Sequence, residues 1–488
     1  FKQKTAYEIM PSLVGSEMCI RDRIGSVYSP SHDIEVERIS SKEIRVEYSD
    51  EDIKPTKDFI LYYTKSVENY SATLLSYKPA NENGTFLLLV SPNLEELQEE
   101  QAKDIVFVMD VSGSMRGEKI KQAKNALKEI VSKLDDEDRF TIIDFNDKVR
   151  MFTDELVLAG ENKEEALSYV DSFEAMGSTD INQALLEALK LVGPSERAKI
   201  VVFLTDGRPT SGVTDVSEIV SNVAEANTMK ASIFVFGVGY DVNTHLLDRI
   251  SKENGGFSTY VEPNESIERV LTGFYDKIAH PVMTDVEAKF NGGEVSFVIP
   301  KDLPNLFKGS QLLVVGRYGN CGEIELILSG RVKGENVEIR KTFQLACDKT
   351  EYSFLPRLWA TRRVGELLDT IRLEGENPAL VEEVKNLAEK YGIVTPYTSY
   401  YVEAVEKGNI TNEELLPMVD VQSFMEAVGR GSVKAAIGTW AYQQATREGV
   451  LQEETITRFI GPKTFVNKEG VWIDTEYQEA VSYTHLTL

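Results

Sequence analysis

Residues 105–114 read IVFVMDVSGS, and this run predicts the fold of the middle of the chain. Its first half, 105–109, is continuously apolar, as a parallel strand that is buried on both faces must be. Its second half places the oxygen-bearing side chains of Asp110, Ser112 and Ser114 directly after that strand. In open α/β sheets, ligands bind at the carboxyl ends of the strands, so the stretch predicts a site at this edge.

Residues 101–280 continue the same pattern outward from this stretch. Apolar runs alternate with segments whose apolar residues fall on one helical face, which predicts an α/β fold with a doubly wound, mostly parallel sheet. The further strand candidates are 140–145, 200–204 and 233–236, and the clearest helix candidates are 118–134 and 181–192.

Two later loops supply more oxygen atoms for the predicted site. Thr179 lies in the run GSTD, which precedes a helix, and Asp206 lies in TDG, directly after the strand 200–204. Ser and Asp are also ordinary turn and cap residues, so the joint order of the three loops carries the prediction. Two carboxylates and three hydroxyls suit a hard cation, with Mg²⁺ as first choice and Mn²⁺ or Ca²⁺ as alternatives. We expect both carboxylates at solvent-facing strand ends, outside the core.

Residues 104–280 resemble the von Willebrand factor type A domain, and the three loops match its metal-ion-dependent adhesion site. The resemblance implies a divalent ion, some of whose ligands act through water. Such an ion stays electropositive and can bind a carboxylate of a partner. The residues that match the motif are Asp110, Ser112 and Ser114 in the first loop, Thr179 in the second and Asp206 in the third.

Strands are expected on both sides of the type A segment, and helices are expected after residue 350. Strands of 58–95 and 284–347 are expected to form one β-sandwich into which the type A segment is inserted. The remaining predicted regions are a β connector within 24–95, helices in 350–407, and a glycine-interrupted helix (about 420–447) with a small hairpin in 408–480.

Several short motifs outside the type A segment resemble prokaryotic VIT-domain proteins, which are relatives of the inter-alpha-trypsin inhibitor heavy chains. Residues 24–95 resemble the C-terminal part of a VIT domain, whose first part is missing. Nothing matches the site through which animal heavy chains attach to a glycosaminoglycan, so that chemistry is not carried over. The motifs are YSPSH at 28–32, DFILYY at 58–63, LWATR at 358–362 and YGIVTPYTS at 391–399.

Both ends of the chain look foreign to the natural product. The peptides MCIRD at 18–22 and VSYTH at 481–485 can be translated from opposite strands of one short DNA element, which looks like a transposon end used in sequencing. We therefore expect 1–23 and 481–488 to be sequencing-adapter artefacts, and a signal peptide upstream to be out of view.

Charge and composition exclude several classes of function. The 488 residues carry 53 Lys and Arg against 79 Asp and Glu, a net charge of −26, or −27 without the two ends. Such an acidic chain is a poor binder of nucleic acid or anionic membranes. No apolar run is long enough to span a membrane.

Cys321 and Cys347 are the two cysteines outside the predicted adapter segments. If 311–317, 323–329 and 336–346 are consecutive antiparallel strands, both cysteines fall at one end of the sheet. We predict a bridge, which would imply an oxidising compartment, with two free thiols as the alternative.

The combined interpretation is a secreted or cell-envelope protein that binds an acidic protein or glycan group through a divalent ion, without enzymatic activity. One alternative is an intracellular assembly factor or ATPase partner that uses the same metal site. Another is a metal-dependent hydrolase, which would need a positioned base that no histidine motif provides.

Overall fold

A computed structural model gives the architecture of most of the chain. The residues it describes are 14–19, 24–29, 34–40, 43–48, 61–65, 70–92, 101–308, 310–398, 421–446, 457–460, 463–468 and 471–474.

A seven-stranded sheet forms the centre of the type A segment. Its strands are β8 (Lys103–Asp110), β9 (Arg139–Phe145), β10 (Val149–Met151), β11 (Val157–Leu158), β12 (Ala198–Thr205), β13 (Ser232–Val238) and β14 (Ser258–Val261). They lie in the order β10-β9-β8-β12-β13-β14, and β11 also pairs with β9. The neighbouring strands from β9 through β8, β12 and β13 to β14 are parallel.

Helices cover both faces of this sheet, which confirms the doubly wound α/β prediction. Ile105, Phe107 and Met109 of β8 belong to one core, whereas Val106 and Val108 belong to the other. Burial on both faces explains why the strand sequence is continuously apolar. The first core is covered by α1 (Glu118–Lys133), α2 (Ala159–Asp171) and α6 (Ile267–Ile278), and the second by α3 (Ile181–Leu191), α4 (Val216–Ala226) and α5 (Thr244–Glu253).

Strands from both sides of the type A segment share one β-sandwich. The strand Gly84–Pro92 pairs antiparallel with Leu312–Tyr318, which confirms that the type A segment is inserted between them. One sheet has the order β16-β18-β7-β6 and the other β17-β15-β19-β20. Their strands are β6 (Tyr70–Tyr77), β7 (Gly84–Pro92), β15 (Pro281–Asn291), β16 (Val295–Ile299), β17 (Leu306–Phe307), β18 (Leu312–Tyr318), β19 (Gly322–Val332) and β20 (Glu335–Leu345).

The helical region covers the outer face of one sandwich sheet. Phe86 and Leu88 of β7 face the second sheet, whereas Leu87 and Leu89 pack with the first long helix of that region. Alternate residues of a strand point to opposite faces, so β7 contributes to two cores. The helices are α7 (Leu355–Glu374), α8 (Pro378–Tyr391), α9 (Val421–Met425) and α10 (Arg430–Gln443).

Short strands occupy the described parts of both ends. The strands are β1 (Val14–Cys19), β2 (Ile24–Tyr28), β3 (Glu35–Ser40), β4 (Glu43–Tyr48), β5 (Tyr62–Lys65), β21 (Thr457–Ile460), β22 (Lys463–Lys468) and β23 (Val471–Asp474). Val14–Cys19 lies in a predicted adapter segment and pairs with β4. Pairing does not reveal the DNA from which a segment was translated, so its foreign origin stays a prediction. The rest of 1–23, and 481–488, lie outside the described residues.

The glycine-interrupted helix predicted over about 420–447 is present as α9 and α10. They are separated at Gly429, whose φ of 111° is incompatible with a continuous helix. One strand of the sandwich was missed. The 11-residue strand Pro281–Asn291 was not predicted as such, because it begins with proline and lacks strict alternation. At the start of α8, Asn377 is the N-cap, since its Oδ1 accepts a hydrogen bond from the amide of Ala379.

Cys321 and Cys347 form a disulfide bond, which confirms the predicted pairing. Their Cα atoms are 5.4 Å apart, at the ends of β19 and β20 that meet in the sandwich. Separately, none of the helices in the described ranges is both long and apolar enough to cross a bilayer.

Candidate metal centre

Three loops meet at the carboxyl edge of the type A sheet. The first follows β8, the second precedes α3, and the third follows β12. Their backbones are tied together: the amide of Gly113 donates to the carbonyl of Gly177 at 3.0 Å, and the amide of Thr210 donates to the carbonyl of Thr179 at 2.9 Å. The structure therefore places the three predicted loops in contact.

The predicted hydroxyls and carboxylates lie close to one another. Ser112 Oγ and Ser114 Oγ are 2.9 Å apart, and Ser114 Oγ donates to Asp206 Oδ1 at 2.6 Å. A Cβ atom on Gly207 would lie 3.7 Å from both Ser114 Oγ and Thr179 Oγ1, so these two hydroxyls flank the same backbone position. Four of the five predicted residues are thus joined by direct contacts or by a shared neighbour.

Asp110, the fifth predicted residue, is held by two neutral donors. The amide of Ser112 donates to its Oδ1 at 2.7 Å, and Thr205 Oγ1 donates to its Oδ2 at 2.6 Å. The pKa of Asp110 is raised to about 6, mainly by burial. Repulsion from Asp206 also raises this pKa, and the hydrogen bonds from Thr205 and Ser112 offset part of the increase. The two carboxylates are therefore close enough to repel each other.

The expectation that both carboxylates face solvent is wrong. Asp110 and Asp206 are completely buried, Ser112 and Thr179 are nearly so, and only Ser114 is exposed. The reason is that the loops fold over the strand ends, so that hydroxyl groups cover the carboxylates. Burial of an ionised carboxylate is costly unless an opposite charge or several donors compensate for it.

Two residues of this site were missed by sequence reasoning. Thr205, which ends β12, donates to Asp110, and its position before Asp206 was a signal that could have found it. Lys119, the second residue of α1, places its Nζ 2.6 Å from Asp206 Oδ2. Nothing in the loop spacing pointed to Lys119, because its contact depends on how α1 packs against the sheet.

The donor set fits a hard cation better than a soft one. Within the described residues, no group of three or more His, Cys, Asp or Glu side chains is arranged to hold a metal ion. At the candidate site, two carboxylates combine with hydroxyls instead, and all are oxygen donors. Lys119 neutralises Asp206, whereas Asp110 has no ion pair among the described residues. A divalent cation would supply the missing positive charge.

The fold and the loop geometry define a von Willebrand factor type A domain, and residues 104–272 match that domain family. Over part of their length, the chain is similar to the inter-alpha-trypsin inhibitor heavy chains. It is 32% identical to heavy chain H4 of Homo sapiens over 342 residues, or 66% of this chain. It is 31% identical to heavy chain 4 of Mus musculus over 380 residues, or 73% of this chain. It spans 36% and 39% of those two relatives.

A solved structure supports the fold independently. The von Willebrand factor type A structure from Catenulispora acidiphila superposes with a TM-score of 0.53 at 14% sequence identity. The superposition covers 79% of this chain and 97% of that chain. At this level of identity the likeness shows the fold alone.

Proposed function

We propose that the type A domain binds a divalent cation, Mg²⁺ first, and through it an acidic group of a protein or glycan partner. Type A domains generally serve protein interaction or adhesion, and they often bind a divalent metal at such a site. The residues that would hold the ion are Asp110, Ser112, Ser114, Thr179 and Asp206.

The observation that carries this proposal is the imbalance of charge at the three-loop site. Two buried carboxylates face one ammonium group, and the remaining donors are neutral. A bound cation would stabilise this arrangement. Since the hydroxyls are neutral ligands, they would leave the ion electropositive towards a partner. The chain carries a net charge of −26, so it would otherwise repel an acidic partner.

An extracytoplasmic location, secreted or in the cell envelope, is part of the same proposal. Its support is the disulfide between Cys321 and Cys347, because such bonds persist in oxidising compartments. A binding function is favoured over hydrolysis, since neither Ser112 nor Ser114 hydrogen-bonds a histidine in the part of the chain that the structure describes.

Calorimetric titration with Mn²⁺ tests the metal site directly. Asp110→Asn and Asp206→Asn should abolish binding, whereas Ser112→Ala should weaken it less because a neutral ligand is lost. Asp104→Asn is the matched control. It removes a fully buried carboxylate from the opposite end of β8, where Asp104 pairs with Arg139. Circular dichroism checks that each variant folds.

Partner binding is tested with the same proteins on surfaces or in extracts from the source organism, with and without chelator. Capture should require Mg²⁺ or Mn²⁺ and should be lost in Asp110→Asn. Capture that persists unchanged in chelator, or in the folded Asp110→Asn protein, would show that recognition does not run through the metal site.

A further inference from the structure

Lys119 contributes a full positive charge to the candidate site from outside the three loops. Its Nζ lies 2.6 Å from Asp206 Oδ2, while Asp206 Oδ1 accepts the hydrogen bond from Ser114 Oγ. The Asp206 side chain is completely buried, whereas that of Lys119 is 37% exposed. The ammonium group therefore approaches a buried carboxylate from the solvent side.

The position of Lys119 is fixed by the helix that bears it and by a neighbouring loop. In α1, Ala123 and Leu127 are buried in the core of the type A segment, so the start of the helix cannot move freely. A Cβ atom on Gly239, which follows β13, would lie 3.9 Å from Lys119 Nζ. The ammonium group is thus held between the third loop and the loop after β13.

We propose that Lys119 is an internal counter-cation of the metal site, which neutralises Asp206 when no ion is bound and lowers the affinity for divalent cations. This inference rests on the proposed metal-binding function of the same site. It assigns to Lys119 an effect opposite to that of the five oxygen ligands, since the ligands raise the affinity for the ion and the ammonium group lowers it.

The charge arrangement sets the sign of both effects. Without an ion, attraction between Lys119 and Asp206 offsets part of the cost of burying two carboxylates. With an ion bound, two positive centres share Asp206 and repel each other. Loss of the ammonium charge should therefore make the ion-free protein less stable and the bound ion more tightly held.

The test uses the full chain and Mn²⁺ alone as the probe. In Lys119→Gln, which keeps a hydrogen-bond donor but loses the charge, Mn²⁺ should bind about ten-fold more tightly, a factor that corresponds to about 1.4 kcal/mol. Its melting temperature in chelator should fall, and the rise on adding Mn²⁺ should exceed that of the wild type. A merely structural role would lower the melting temperature equally with and without Mn²⁺.

Two further variants separate charge from shape and position. Lys119→Arg keeps the charge and should keep an affinity close to that of the wild type. Lys121→Gln removes a charge two residues along the same helix, where Lys121 pairs with exposed Glu118. It should change neither the Mn²⁺ affinity nor the melting temperature. The inference would be overturned if Lys119→Gln bound Mn²⁺ as the wild type does or more weakly, or if Lys121→Gln gained as much Mn²⁺ affinity as Lys119→Gln.

The outcomes also distinguish this inference from the proposed function on which it rests. If the wild type and Asp110→Asn titrate alike, there is no metal site, and both proposals fail. If Asp110→Asn loses Mn²⁺ binding while Lys119→Gln matches the wild type, the metal site stands and only the role of Lys119 is refuted.

Discussion

Arg372 joins the helical region to the type A domain through buried ion pairs. It lies in α7, its side chain is 1% exposed, and it donates to Asp248 of α5. It also donates to Asp369 Oδ1 at 3.1 Å and to Thr244 Oγ1 at 3.3 Å. Lys252 of α5 pairs with Asp369 at 2.7 Å, so two cations and two carboxylates alternate across the interface.

Replacing Arg372 with Met should destabilise the protein strongly. The substitution leaves Asp248 and Asp369 at the interface without their shared partner. Removing one partner of a buried ion pair costs about 3–5 kcal/mol. Burial raises the pKa of Asp369, but attraction to Arg372 and Lys252 outweighs this and holds the pKa below its ordinary value. Because Lys252 remains, we expect the lower end of the range, about 3 kcal/mol.

Urea denaturation followed by circular dichroism measures this loss. Arg363→Met is the matched control: Arg363 lies on the same helix and pairs with two carboxylates, Glu366 and Glu383, but both belong to the helical region. These more exposed pairs should contribute about 1 kcal/mol or less. The Arg372 variant should also unfold over a broader transition, since the two regions lose a shared contact.

Two results would refute this reasoning. One is a decrease in the free energy of unfolding of Arg372→Met that is no larger than the decrease in the Arg363→Met control. The other is an Arg372→Met/Asp248→Asn double variant that is less stable than Arg372→Met alone, because removing the stranded Asp248 charge should restore part of the stability.

Two shorter predictions concern pH and redox conditions. Burial, with repulsion from Arg372, lowers the pKa of His245 from 6.5 to about 4. As the pH drops from 6.5 to 4, the His245 imidazole is therefore protonated in the unfolded chain before it is protonated in the folded protein, and stability should fall by about 1–2 kcal/mol. His245→Gln should flatten this part of a plot of melting temperature against pH, and parallel plots for the wild type and the variant would contradict the prediction. Replacing Cys321 and Cys347 with Ala should cost about 3 kcal/mol in urea denaturation, and two alkylated cysteines in non-reduced protein from an oxidising compartment would disprove the bridge.

The parts of the fold that the sequence predicted are those encoded by local pattern. The strand 105–109 could be identified because burial on both faces requires an unbroken apolar run, and α1 because its apolar residues recur on one face. The return of strand character after residue 280 indicated the inserted domain, which the pairing of Gly84–Pro92 with Leu312–Tyr318 bears out.

The features that the sequence did not predict depend on contacts between distant segments. The burial of Asp110 and Asp206 results from three loops folding over the strand ends, and single-loop patterns do not show how deeply a side chain lies. The contact of Lys119 with Asp206 likewise joins residues that are 87 positions apart. The roles of the five oxygen ligands are read from loop order and stay a prediction.

The architecture places the candidate site away from the connections of the type A domain to the sandwich. The chain enters at Lys103, the amino end of β8, where Lys103 Nζ is 2.5 Å from Asp138 Oδ2. It leaves after α6 at His280, 3.8 Å from Asp135 in the same corner. The carboxyl edge of the sheet lies at the other end of these strands, so the insertion leaves the three loops uncovered by the sandwich.

The C-terminal segment nevertheless reaches the same edge of the sheet. The amide of Gly429 donates to the carbonyl of Tyr240 at 3.1 Å, and the amide of Thr244 donates to the carbonyl of Ala427 at 2.8 Å. Val433 also belongs to one of the two cores of the type A segment. The loop after β13 that borders Lys119 is therefore held by residues from outside 104–272. A fragment limited to the type A domain would lose these contacts, which is why metal and partner binding are best measured on the full chain.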